Sequence, residues 1–337
     1  MSRVPLIVRR APGGRLSPAP APLPTREAVT VSSRESHVAY RVLSSLRLPR
    51  VLRRVRSGAS VFCFHNVVPS RDSGLGDASL HLDVGRFEQL VRWIGSAYDV
   101  VPLSEVLQGV REGGTLRGLA ALTFDDTYRG AVEHALPILR GLGVPSTLFV
   151  VPSSARNPRP FWWDRLAARG ALSDRNRDVC LGEHRGRSDD VLASFNGSEP
   201  GSEPHLPSTM LPASWDEIRR AATGVDFVAI GSHTATHPNL TALGDDQIFE
   251  EMKASRDEIA LELGVAPDVV SYPYGLHDQR VLSQARRAGY RAGVTLRGGL
   301  ARAGQDVLAL PRLNVPAGIG VEALECGAVG LRPRRRS

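Results

Sequence analysis

The sequence predicts an α/β fold in which parallel strands alternate with helices and curl into a barrel or barrel-like sheet. Three observations predict it. From residue 60 onward, short apolar runs alternate with longer segments whose apolar residues recur at helical spacing, the pattern of strand–helix crossovers. The chain has 337 residues, room for one barrel of about 250 residues with tails. Each unusual polar cluster also falls just past an apolar run: His65 and Asn66 after "VFCF", Asp125 and Asp126 after "ALTF", His233 and His237 after "FVAIG", Tyr274 and Gly275 after "VVSYP". Barrels of this class carry their chemistry at the C-terminal ends of the strands.

The elements follow in order. Residues 1–36 are rich in Pro, Ala and Arg and read as a disordered basic leader. They lack the apolar core of a secretory signal, so a cytoplasmic location is expected. Residues 37–57 interleave apolar residues with arginines and predict one basic amphipathic helix. A helix packed on the domain and peripheral contact with an anionic membrane through residues 38–56 both fit that pattern.

The body, residues 58–322, begins with the strand "SVFCFH" (60–65) and the helix "VGRFEQLVRWIGSA" (84–97). "LAALTF" (119–124) is a strand, followed by a helix through "GAVEHALPILRGLG" that stops at Gly143. "STLFVV" (146–151) is the next strand, and an insertion over about 152–212 precedes the remaining strand–helix units. Its "NPRPFWWDRLAARGAL" segment reads as core or lid, with Trp162 and Trp163 as alternative members of a substrate rim. Residues 173–212 read as a flexible excursion. Residues 323–337 read as a basic tail.

Charge excludes one class of partner. Residues 1–57 carry twelve arginines against Glu27 and Glu35, and "LRPRRRS" adds four more; with a total of +7, the stretch 58–330 is near −7. A mildly acidic body argues against nucleic acid. Cys63, Cys180 and Cys326 lie far apart without a CxxC pair, which argues against a disulfide framework or a cysteine-rich zinc site. No apolar run is long enough to span a bilayer, and a monomer is expected.

The polar clusters define the chemistry. Two adjacent carboxylates at a strand end enter one site if the backbone turns there; Asp126 alone reads equally well as a helix N-cap. HxxxH places His233 and His237 where a helix or a tight turn pinches a metal between two imidazoles, and surface or capping histidines are the plainer reading of that motif alone. With one aspartate the two histidines complete a His2Asp set that leaves positions open for water and substrate. A second aspartate is then free to accept the proton of a water attacking a carbonyl compound.

"LTFDDTYRGAVEHALPILRGLGVPSTLFVV", "GSHTATHPNL" and "SYPYG" resemble the first three motifs of the polysaccharide deacetylases, the carbohydrate esterase family 4 or nodulation-factor deacetylase-like group. The similarity spans about residues 60–316. It implies a distorted (β/α) barrel of the polysaccharide deacetylase type and a divalent metal, usually zinc. It also implies a hydrolase that removes N-acetyl groups from an N-acetylated glycan by attack of metal-bound water. By position it assigns Asp125 as base, Asp126, His233 and His237 as metal ligands, and the Tyr274 backbone N–H as an oxyanion donor.

Two positions depart from the family pattern. Ser271 stands where an orienting arginine is usual, and no histidine follows His277 to serve as the late general acid. A subgroup resembling poly-N-acetylglucosamine deacetylases supplies its acid from the end of the first strand. "FCFHNVVP" is similar to that feature and points to His65; "LPRLNVP" is similar to another and offers Arg312 as the replacement arginine. His81 matches a recurrent subgroup position that lines the cleft or packs beside it, and His277 reads as a helix-start residue. A same-fold amidase for a small non-polymeric amide and an inactive sugar-binding relative remain as alternative functions.

Overall fold

The computed structural model describes residues 34–195, 204–222 and 227–331, with side chains from residue 39. The expected leader lies almost wholly outside the described residues. Seven strands run along one curled, wholly parallel sheet: β1 (Ser60–Phe64), β2 (Leu119–Phe124), β3 (Ser146–Val150), β4 (Val228–Ser232), β5 (Val269–Ser271), β6 (Ala292–Val294) and β7 (Leu313–Asn314), in the order β7-β1-β2-β3-β4-β5-β6. A two-residue strand, Asp99–Val100, pairs with the start of β2. β1 and β3 are buried throughout, because a parallel sheet covered by helices exposes neither face and so selects continuous apolar runs.

The segment entering β7 closes the curl. Leu310 bridges Val294 of β6 in parallel, with the Leu310 N–H donating to Gly293 O at 2.9 Å. Three residues later Leu313 pairs with Phe62 of β1. The result is the distorted barrel expected from the strand–helix alternation.

Helices cover the outside. Val84–Ala97 forms where the 3.6-residue spacing predicts it and buries Phe87, Leu90, Val91 and Ile94. Its N-cap, Asp83, accepts from the Arg86 N–H at 2.9 Å, satisfying a backbone donor that the helix leaves unpaired. The helix after β2 opens as a π turn, Ala131–Ala135, before the α-helical Leu136–Gly141. Pro137 has no N–H and its ring crowds the preceding turn, so the first turn widens. Gly143 ends the run at φ 65°, as the stop signal predicts.

Three expectations are corrected. Residues 37–57 form two helices, Arg34–Ser45 and Leu48–Val55, broken at Leu46–Arg47 with Arg47 at φ 56°. Pro49 cannot donate to a carbonyl four residues back, so one continuous helix is excluded. The stretch expected as a basic tail from residue 323 is instead the helix Val321–Ala328, buried from Ala323 to Ala328. The helix Arg34–Ser45 packs against it, with Tyr40 buried and Ser44 Oγ donating to Glu325 Oε2 at 2.6 Å. The expected flexible excursion holds two helices, Asp174–Gly182 and Ser188–Phe195. With Trp162–Ala168 they bury Tyr128, Phe161, Trp162, Trp163 and Leu181 in a small core of their own. The three aromatics are therefore core, with Trp163 forming the floor behind the site.

Candidate active site

The ends of β2 and β4 turn sharply, and those turns build the site. Asp125 still belongs to the ladder, its N–H donating to Phe64 O at 3.0 Å. Asp126 and Thr127 then adopt left-handed backbone, φ 66° and 45°, a conformation that non-glycine residues enter at a cost. Thr127 Oγ1 holds the bend by donating to Phe149 O at 2.9 Å. Both carboxylates thus point into one space. Asp126 caps no helix, since the next one opens only at Ala131.

The two histidines sit on a loop and not on a helix. After β4 the His233 N–H donates to Val150 O at 2.7 Å, and Thr234 and His237 are left-handed at φ 65° and 61°. Glu251 clamps the intervening loop through the Thr236 N–H and hydroxyl, at 2.9 and 2.7 Å. This tight turn delivers the pinch that i, i+4 spacing would otherwise obtain from a helix.

Three donor atoms converge. His233 Nε2 and His237 Nε2 are 3.1 Å apart, and they lie 3.5 and 3.3 Å from Asp126 Oδ1. Ligands at about 2.0–2.1 Å around a tetrahedral zinc stand roughly 3.3 Å from one another, so the triangle has the size of a zinc face. His233 Nδ1 donates to Ser271 O at 2.7 Å, leaving Nε2 as the bare lone pair a metal needs. His237 is oriented by aromatic faces, with ring centres at 5.1 Å for Trp163 and 4.6 Å for Tyr274. Among the described residues Asp126 Oδ1 accepts no hydrogen bond although it is buried, and a buried acceptor is rarely left so. Burial, then Asp125 and Asp164, push the Asp126 carboxyl well above its usual range, while burial pulls both histidines down. A cation at the centre of the triangle would reverse the carboxylate's penalty. The residues fit a divalent metal.

Asp125 has a different environment. Arg312 grips it bidentately, Nη1 to Oδ1 at 2.8 Å and Nη2 to Oδ2 at 2.6 Å. The guanidinium is itself wholly buried, donating also to Thr123 Oγ1, Thr295 O and Ser271 Oγ. Ser271 Oγ donates to Asp125 Oδ2 at 3.1 Å, and Cys63 Sγ lies 3.4 Å from the same oxygen. Burial alone would raise the Asp125 carboxyl, but Arg312, then His233, override it and hold the group far below the usual carboxylate range. Arg312, arriving from the segment before β7, thus reaches the carboxylate that Ser271 touches only through its hydroxyl.

His65 follows β1 and is half-buried. One of its ring nitrogens lies within 4.8 Å of both a carboxylate oxygen of Asp125 and Cys63 Sγ. Burial, then Arg312 and His233, outweigh Asp125 and lower its pKa to about 4. Tyr274 is left-handed at φ 59° within the turn Pro273–Gly275. Its ring walls His237, and its hydroxyl accepts from Trp162 Nε1 at 3.1 Å. His81 is away from the triangle: fully buried, it binds Asp164 at 2.8 Å through Nε2 and accepts from Asn66 through Nδ1. His277 stacks on Tyr272, 5.6 Å between ring centres, just before the helix Gln279–Arg287.

Sequence reasoning missed the Ser271 hydroxyl, Cys63 and Thr123 as neighbours of Asp125. The available signal was strand alternation: Cys63 shares a face of β1 with His65, and Thr123 shares one of β2 with Asp125.

The profile of the polysaccharide deacetylase family matches residues 112–293. YxkH of Bacillus subtilis (strain 168), a polysaccharide deacetylase by name, is 23% identical over 247 residues, 73% of this chain and 69% of YxkH. Among solved structures, IcaB from Ammonifex degensii superposes with a TM-score of 0.58 at 18% identity, covering 82% of this chain and 98% of IcaB. The Streptococcus pyogenes deacetylase PplD in complex with acetate gives 0.56 at 20% identity, covering 80% and 98%. At such identities the structural likeness is one of fold. The profile spans more than half of the chain and contains Asp125, Asp126, His233 and His237; the chain belongs to the polysaccharide deacetylase family and is a hydrolytic deacetylase.

Proposed function

We propose that the site holds one divalent metal, zinc by the size and chemistry of its donor set, and removes the acetyl group from the nitrogen of an N-acetylated sugar. The donor triangle of Asp126, His233 and His237 beside an arginine-clamped second aspartate carries this reading. A metal bound there polarises the amide carbonyl and acidifies water.

The remaining chemistry falls to the chain's own groups. Water adds to the carbonyl carbon, the carbon–nitrogen bond breaks, and a proton must travel from the water to the departing amine. Asp125, ionised throughout the neutral range and fixed by Arg312 and Ser271, accepts it from the water. His65 rests neutral at pH 7, so it cannot start as the acid. Its place beside Asp125 lets it receive that proton and deliver it to the amine nitrogen. The Tyr274 backbone N–H, in the left-handed turn Pro273–Gly275, is assigned as the donor to the developing oxyanion.

The first test is acetate release from N-acetylglucosamine oligomers before and after chelation. Chelated protein is expected to lose activity to background and regain it with stoichiometric zinc; activity that survives complete removal of metal sinks the mechanism. His65→Gln tests the proton route. It is expected to slow amide cleavage about 10²–10⁴-fold, the usual worth of a general acid. Hydrolysis of 4-nitrophenyl acetate, whose leaving group needs no proton, is expected to change far less. Equal losses on both substrates would remove His65 from the route.

One observation favours the alternative of a small non-polymeric amide. The three donor side chains are only 2–7% exposed. The loop between Asp174–Gly182 and Ser188–Phe195 packs on residues beside them: the Asn239 N–H donates to Arg185 O at 2.7 Å, and Tyr274 Oη reaches Gly186 O at 3.4 Å. Faster release from a monomeric amide than from a pentamer would select that reading.

A further inference from the structure

The two N-terminal helices present a second surface with its own chemistry. Val42, Leu46, Val51 and Val55 are 50, 69, 55 and 61% exposed, half of the large apolar side chains exposed among the described residues. Val51 and Val55, four apart, share one face of the second helix, and the Leu46 N–H donates to Val42 O at 3.1 Å, so Leu46 continues the last turn of the first helix past Val42. Arg41, Arg47, Arg50 and Arg54 are exposed beside them, Arg50 with its Nε 3.6 Å from Glu325 Oε1. The opposite faces are occupied: Tyr40 and Pro49 are buried, Arg53 covers the Tyr98 ring at 5.2 Å, and Arg56 donates to Val329 O. The pair is therefore held against the barrel with four apolar side chains turned outward.

Charge identifies what such a face fits. No acidic residue occurs from 36 to 71. Both strongly basic ends of the sequence join the chain here, residues 1–33 through the helix Arg34–Ser45, and residues 332–337 just past the Val329 carbonyl that Arg56 holds. The body between them is near −7. Arginines alone would suit any polyanion. Outward valines and a leucine interleaved with them are the composition of a segment that lies in a lipid headgroup layer, apolar side chains immersed and guanidiniums among the phosphates.

We propose that the helices Arg34–Ser45 and Leu48–Val55 dock the protein on the surface of an anionic lipid bilayer. The helix Leu48–Val55 leads through Gly58 into the first residue of β1, the N-terminal end of the barrel. Asp126 and His233 sit at the opposite, C-terminal strand ends. Docking therefore turns the site away from the lipid and toward substrate in the aqueous phase.

The test uses the full chain with vesicles of phosphatidylglycerol and phosphatidylcholine, or of phosphatidylcholine alone, at physiological ionic strength. Val51→Cys carries an environment-sensitive fluorophore; Cys63, Cys180 and Cys326 are buried, so labelling is selective. Binding to the anionic vesicles only, with a blue shift at position 51 and none for a probe on Leu261→Cys, is expected. The triple variant Val42→Ser, Leu46→Ser, Val55→Ser is expected to bind about tenfold or more weakly, with acetate release in solution unchanged. Undiminished binding of that variant would mean adsorption by charge alone and overturn the proposal. So would a probe already shifted without lipid, the sign that this chain or a second copy covers the face, or no binding to either vesicle.

Discussion

Asp125→Asn is expected to lose about three orders of magnitude or more in acetate release, because in the proposed mechanism the change removes the acceptor for the water's proton. The same change leaves Asp126, His233 and His237 untouched, so bound zinc should stay near one per chain. A second effect is built in. Arg312 would lose its carboxylate while remaining wholly buried, and a buried charge deprived of its partner costs about 3–5 kcal/mol. Activity is therefore to be compared at a temperature where the melting curve shows the variant folded. Full activity in a folded, zinc-loaded Asp125→Asn protein would move the base elsewhere.

Arg312→Leu is the second large effect, and its signature is in pH. The variant keeps a carboxylate at 2% exposure with its main stabilising partner gone. It is expected to be about 3–5 kcal/mol less stable than wild type near pH 7, read by denaturant unfolding of the chelated protein. In wild type the Asp125 carboxyl is held far below its unfolded value. That contribution is present above about pH 4 and is lost only as pH falls further. In the variant, burial is left to dominate and lifts the carboxyl above its unfolded value. The folded variant then holds a proton more tightly than the unfolded one, which favours folding at low pH and fades as pH rises. The stability gap should narrow steadily between pH 7 and pH 4; a constant gap would mean that Arg312 acts through packing and not through charge.

Much of this architecture was legible because the period and position of apolar residues are local properties. The strands at "LAALTF" and "STLFVV" and the helix over 84–97 followed from neighbours in sequence; the pairing of "TFDD" with "HTATH" followed from the strand-end rule and the family resemblance. Arg312 was named only through the resemblance of "LPRLNVP", since 187 residues separate it from Asp125 and only the sheet order brings them together. What escaped had non-local causes. The helices over 174–195 are polar outside and bury their few apolar residues against Tyr128 and Trp162, partners outside their own segment. The left-handed turns at Asp126 and His237 break local preference, and such conflicts gather where function requires a geometry that the backbone disfavours.

The closing segment has a consequence for the order in which a ribosome makes the chain. By the time residue 309 has emerged, every donor of the triangle, both aspartates and His65 have been synthesised. Asp125 still lacks its guanidinium, because Arg312 arrives with the one pairing that joins the last strand to the first. Contacts so distant in sequence form late and slowly. At that stage the nascent chain carries the donor triangle while Asp125 still lacks its charge partner, and the Asp125–Arg312 pair forms only with the pairing that closes the sheet.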